Sequence, residues 1–157
     1  MNLINTEFTL LIFDDEKQNR LLLTELFGTT YKIIQAKNGV QALEKARQHR
    51  PDLILLDVLM PEMDGMDVLR ELKRDDATRL IPVIFITALD SATDEENGLN
   101  LGAVDYISKP FHPPIVRVRV RNQLQLVHRR RLLEQLASLD GLTGIPNRRQ
   151  FDATLLK

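Results

Sequence analysis

The sequence predicts an α/β fold: a doubly wound, five-stranded parallel sheet carrying an extended C-terminal helix. Three observations lead there. Five short runs, at residues 8–13, 31–36, 53–56, 82–88 and 104–107, are rich in aliphatic and aromatic residues and too short for helices. Segments with helical apolar spacing separate them in strict alternation, which implies right-handed crossovers between parallel strands. Four of the runs also end on groups capable of chemistry, namely Asp14-Asp15, Asp57, Thr87 and Lys109.

The first run ends directly on Asp14-Asp15. From Glu16 onward Leu22, Glu25 and Leu26, with Leu21 and Leu23 beside them, fall at helical spacing, and Gly28 supplies the stop. Residues 31–36 form the second strand, and Asn38-Gly39 turns the chain into a helix over 40–48 with Val40, Leu43 and Ala46 expected inward. Pro51 introduces the third strand, Leu53-Ile54-Leu55-Leu56, whose unbroken aliphatics suit burial on both faces of a parallel sheet. A helix over 66–73 follows, with Val68, Leu69 and Leu72 as its apolar face. The fourth strand ends at Thr87-Ala88. The helix after it, 93–101, is acidic at its start, where the helix dipole favours carboxylates, and Gly102 closes it. The fifth strand leads into Ser108-Lys109-Pro110. Residues 115–121 alternate apolar and basic, which read locally is a strand pattern. A helix beginning at Pro113-Pro114 is preferred, because Val116, Val120, Leu124 and Val127 share one helical face and the run to Ser138 is too long for a strand.

At 157 residues, 43% hydrophobic and 27% charged, the chain has ordinary globular composition and room for a core. No apolar run nears the roughly 20 residues that span a bilayer, and residues 1–7 lack a signal-peptide pattern, so a cytoplasmic location with no membrane contact is expected. The lack of Cys excludes disulfides, thiol chemistry and Cys-based zinc sites. The net charge of −1 hides an asymmetry: residues 1–112 carry 12 basic and 19 acidic side chains, whereas residues 113–157 carry 9 and 3. An acidic part followed by a basic tail suggests two units with different work.

In an open parallel sheet the carboxyl ends of the strands border the ligand crevice. Three carboxylates there raise one another's pKa unless a cation sits among them. Oxygen-only ligands suit Mg²⁺, and a hydroxyl and an ammonium are the groups that hold a phosphoryl oxygen. Each residue has a plainer use: Asp14-Asp15 as helix capping, Asp57 as the start of a turn, Thr87 as a strand residue, Lys109 as a solvated cation. Taken jointly, complementary chemistry from four strand ends favours a site where an Asp accepts a phosphoryl group.

These residues resemble the receiver domain of two-component response regulators, over residues 8 to about 125. The resemblance is carried by Asp14-Asp15, by Asp57 within Leu56-Asp57-Val58-Leu59-Met60-Pro61-Glu62-Met63-Asp64-Gly65, by Thr87-Ala88, by Tyr106 and by Lys109-Pro110-Phe111. It implies that Asp57 is the phosphoacceptor, served by a phosphohistidine of a sensor histidine kinase or histidine phosphotransfer protein. It implies direct Mg²⁺ ligation by Asp15, Asp57 and the backbone carbonyl of Leu59, with Asp14 acting through water. Thr87 and Lys109 would hold the phosphoryl group, Thr87 and Tyr106 would form the switch, and the Lys109-Pro110 bond would be cis. Ile115 departs from the family, where many members carry an acidic residue.

The tail bears on the output. Residues 136–151, from Leu136-Ala137-Ser138-Leu139-Asp140-Gly141-Leu142-Thr143-Gly144 to Phe151, resemble the opening of diguanylate cyclase domains, but the Gly-Gly-(Asp/Glu)-Glu-Phe motif of that family is absent. The expected organisation is therefore a receiver over 1–125, a helical linker over 126–138 and the truncated start of a cyclase domain over 139–157. Such a fragment would catalyse only its own phosphorylation and dephosphorylation, the intact protein making cyclic di-GMP. Leu126, Leu133 and Leu136 at near-heptad spacing suggest a coiled coil and a homodimer formed on phosphorylation. The alternative is another output, such as a degenerate regulatory domain or a nucleic-acid-binding one. Arg117, Arg119, Arg121 and Arg129 to Arg131 could neutralise phosphates, but residues 113–138 have no aromatic for stacking and no helix-turn-helix pattern, which disfavours nucleic acid.

Overall fold

Strands and helices alternate in the computed structural model, which describes residues 8–60 and 62–142, with side chains described as far as residue 137. The order is β1 (Thr9–Phe13), α1 (Lys17–Phe27), β2 (Lys32–Ala36), α2 (Gly39–His49), β3 (Leu53–Leu56), α3 (Gly65–Arg74), β4 (Val83–Thr87), α4 (Ala92–Asn100), β5 (Asp105–Ser108) and α5 (Pro113–Leu142). All strand pairs are parallel, in the order β2-β1-β3-β4-β5. The strand order reverses between β1 and β3, which opens the crevice of a doubly wound sheet at that point. Phe13 pairs with Leu56, so the residues that follow, Asp14 and Asp57, leave neighbouring strands at the mouth of the crevice.

Both faces of the sheet are buried. On one, Leu11, Phe13, Ile54, Leu56, Val83 and Phe85 join α2 (Ala42, Leu43, Ala46) and α3 (Val68, Leu69, Leu72) in one cluster. The alternate residues Leu10 and Ile12 point to the other face and are fully buried. There α1 packs on β1 and β2, and the α5 residues Val116, Val120 and Leu124 are 0% exposed. Val127, the last residue of that predicted row, is buried as well. Residues 115–121 are thus helical, and their local alternation was a false strand signal. Three helix starts are capped by side chains that accept otherwise orphaned amides: Asn38 from Gln41, Asp64 from Asp67 and Ser91 from Asp94.

Two predicted helix faces are corrected. In α1, Leu21 and Leu22 are 52% and 49% exposed, and Leu23 and Phe27 form the buried row. Consecutive leucines fit either stripe, and the large ring of Phe27, four residues from Leu23, decides which turns inward. In α2, Val40 is 61% exposed, while Gly39, Ala42, Leu43 and Ala46 take the inward positions. Gly39 lies so close to Met63 that a Cβ there would meet its side chain at about 3 Å.

The chain divides into two compact units between Leu124 and Gln125. In the second unit α5 continues to Leu142, with Leu126, Leu132, Leu133 and Leu136 exposed. Most of the cyclase-like segment lies outside the described residues, as does Pro61. Among the described residues no helix is long and apolar enough to cross a membrane.

Candidate functional site

β1 delivers Asp14 into the crevice with 2% exposure. Its Oδ1 accepts from the backbone N–H of Glu16 (2.9 Å) and its Oδ2 from Lys109 Nζ (2.9 Å). Capping and chemistry were alternatives in the sequence; here one oxygen turns the chain into α1 and the other faces the site. β3 delivers Asp57, 4% exposed, whose amide donates to the Phe13 carbonyl (3.0 Å). Its Oδ1 accepts from the N–H of Leu59 (3.0 Å) and its Oδ2 from Lys109 Nζ (2.8 Å). A Cβ on Gly65 would overlap the Asp57 carbonyl, so only glycine lets α3 start this close to the acid.

Lys109 reaches both acids from the end of β5, its backbone N–H held by the Thr87 carbonyl (2.8 Å), and the Lys109-Pro110 bond that follows is cis. Asp15 is exposed, yet carboxylate oxygens of Asp14, Asp15 and Asp57 come within 4.8 Å of one another. Burial raises the pKa of Asp14, against the opposing pull of the Glu16 amide and Lys109. Burial would lower that of Lys109, but its hydrogen bonds to Asp57 and Asp14 outweigh it and hold it above the usual lysine value. Three carboxylates thus stand around one ammonium. That surplus negative charge, presented by oxygen atoms alone, fits a hard divalent cation.

Thr87 is fully buried at the end of β4, and its Oγ1 accepts from the Leu89 N–H (3.3 Å). The Tyr106 hydroxyl donates to the Leu89 carbonyl (2.7 Å). The Tyr106 ring lies inside the protein, 5% exposed. It meets Phe85 edge-on with centroids 5.9 Å apart, in space that Gly98 leaves open, since a Cβ there would lie 3.1 Å from both rings. Burial, then the carboxylates of Asp94, Glu95, Asp57 and Asp90, push the Tyr106 pKa up to about 12.

Asp14, Asp15, Asp57, Leu59, Thr87 and Lys109 lie at or just beyond the carboxyl ends of their strands, whereas Tyr106 sits inside β5, paired with Phe85. Asp14 and Asp57 both accept from Lys109, Asp15 lies beside them, and Thr87 and Tyr106 meet through Leu89. Sequence reasoning missed Leu89, which acts through its backbone and so has no side-chain signal. It also missed Arg20, whose Nη1 donates to the Asp14 carbonyl (2.7 Å); a charged residue in an amphipathic helix is easily read as solvated.

Residues 10–121 match the model of the response regulator receiver domain family. The chain is 46% identical over 114 residues to the response regulator PleD of Caulobacter vibrioides, covering 72% of this chain and 25% of that protein. It is 41% identical over 120 residues to a probable cyclic di-GMP phosphodiesterase of Vibrio cholerae, covering 76% of this chain and 27% of that protein. The chain thus spans about a quarter of the length of these curated relatives. Among solved structures, the receiver domain of a signal transduction histidine kinase from Syntrophus aciditrophicus matches with a TM-score of 0.69 and 36% identity, covering 75% of this chain and 90% of that one. The receiver domain of a Pseudomonas aeruginosa sensor histidine kinase, which holds a magnesium ion in its active site cleft, matches with a TM-score of 0.70 and 28% identity, covering 75% and 98%.

Proposed function

The chain belongs to the response regulator receiver family, and from this we propose that it accepts a phosphoryl group on Asp57 and relays that event to a cyclic di-GMP output. The observation that carries the acceptor assignment is the Asp57 carboxylate itself, buried at the end of β3 and held at 2.8 Å by Lys109 Nζ. In the transfer a carboxylate oxygen of Asp57 bonds to phosphorus as the bond to the imidazole nitrogen of a partner's phosphohistidine breaks, and the imidazole leaves. Phosphoryl transfer asks mainly for positioning and charge stabilisation. The backbone bond to Phe13 and the Leu59 amide orient Asp57, and the Lys109 ammonium can follow charge from its carboxylate to the new phosphoryl oxygens. The Thr87 hydroxyl, accepting from Leu89, keeps its own hydrogen for donation to the same group. Asp14, Asp15, Asp57 and the Leu59 carbonyl would hold Mg²⁺, supported by the acidic oxygen cluster and by the magnesium in the Pseudomonas relative. When bound, the metal supplies counter-charge to the phosphoryl oxygens.

Switching would pass through Leu89, whose N–H contacts Thr87 and whose carbonyl contacts Tyr106. A Thr87 hydroxyl drawn towards a phosphoryl group releases the Leu89 amide and so loosens the loop that holds Tyr106. The output reading rests on the resemblance of residues 136–151 to a cyclase opening and on relatives whose names concern response regulation and cyclic di-GMP. It keeps the division into a receiver to residue 125, a linker over 126–138 and an output domain from 139. The phosphodiesterase relative favours the second reading, in which the receiver regulates cyclic di-GMP breakdown. Incubation with a small phosphodonor and Mg²⁺ should label the wild type and leave Asp57→Asn unlabelled; label retained in the variant would mean that another residue is the acceptor.

A further inference from the structure

Arg20 of α1, Lys37 of the turn after β2 and Lys45 of α2 line a notch of about 230 Å³ together with Gln35, Ala36 and Gln41. Residues 1–112 carry 19 acidic against 12 basic side chains, yet no carboxylate lines the notch. Among the described residues none of the three cations has an ion-pair partner. Two are fixed by carbonyls instead: Arg20 Nη1 donates to Asp14 (2.7 Å) and Lys45 Nζ to Gln35 (2.6 Å). Such bonds position a cation without cancelling its charge. Both side chains keep further N–H groups, and Gln41, whose Oε1 accepts from the Lys37 amide (3.2 Å), keeps its NH₂.

We infer that this notch is an oxyanion site for a single phosphate head group, separate from the Asp57 crevice. Donors from three elements surround it, and guanidinium and ammonium groups are the usual partners of phosphate. Its volume lies below the roughly 300–1,000 Å³ of pockets that enclose a whole small molecule, so it takes the head group and leaves any base or chain outside. A free phosphate and a phosphorylated side chain share this chemistry.

Amide NMR of the whole chain, titrated with inorganic phosphate at constant ionic strength in chloride and without Mg²⁺, tests the site. Saturable shifts are expected at Ala36, Lys37 and Gln41. Arg20→Gln, Lys37→Gln and Lys45→Gln should each weaken binding about two- to fivefold, the effect of losing one partly exposed charge contact. The triple variant should lose saturation, while Lys32→Gln, at the far end of β2, should not change it. Unaltered β4 amide shifts verify folding in the same spectra, and the single variants decide the matter if the triple variant fails to fold. Shifts that stay linear, that chloride reproduces, that centre on Asp57 and Leu59, or that survive the triple substitution would overturn the inference. Phosphoserine supplies the second arm: competition at these amides assigns the site to phosphorylated side chains as well, and its absence assigns it to free phosphate.

Discussion

At the scale of single residues the crevice is dominated by surplus negative charge. Asp15 is exposed and has no hydrogen bond or ion pair among the described residues. If it helps to hold Mg²⁺, a concentration about 100-fold above the dissociation constant should stabilise the fold by about 2.7 kcal/mol. Thermal unfolding with Mg²⁺ and with a chelator should show that increment in the wild type and lose most of it in Asp15→Asn. Tyr106 gives a pH dependence. Its folded pKa, pushed up from the ordinary tyrosine value to about 12, means that the folded state keeps a proton the unfolded chain releases. The associated stability is complete below pH 10 and lost as pH rises from 10 towards 12, on the order of 2 kcal/mol. The difference between wild type and Tyr106→Phe in denaturant midpoint should therefore shrink over that window; a constant difference would contradict the assigned environment.

At the scale of elements the two parts of α5 behave differently. Leu124 is 0% exposed and Leu133 is 66% exposed. Leu124→Ala should cost about 2–5 kcal/mol through lost burial and a cavity, whereas Leu133→Ala should change monomer stability by no more than about 0.5 kcal/mol. Chemical denaturation of the two variants provides the comparison. The ends of most elements were legible from turn and capping residues, to within a residue or so. Helix rotation was less legible. The runs Leu21-Leu22-Leu23 and Gly39-Val40 each offered two apolar stripes, and only packing against the rest of the fold selected one.

At the scale of the molecule, the phosphorylation proposed for Asp57 has a readout in assembly. Leu126, Leu132, Leu133 and Leu136 are exposed on the far part of α5, and we propose that phosphorylation assembles two copies through them. Sedimentation with and without beryllofluoride, a phosphoryl mimic, should show a rise to the dimer mass. Leu133→Ala and Leu136→Ala should weaken that rise, and an unchanged mass in the wild type would rule the coupling out.

The sequence by itself determined the α/β alternation, because short aliphatic runs and helical stripes are local patterns set by periods of 2 and 3.6 residues. It also determined which residues could carry the chemistry, since Asp14, Asp15, Asp57, Thr87 and Lys109 all stand at strand ends. Tertiary structure decided what those residues do to one another. The pairing of β1 with β3 sets Asp14 beside Asp57, and the Lys109 ammonium, 95 residues from Asp14 in sequence, bonds to both. The link from Thr87 to Tyr106 runs through the backbone of Leu89, and the basic notch gathers three cations from separate elements. Contacts of that kind depend on distance in space and on backbone atoms that every residue shares, so no local pattern announces them.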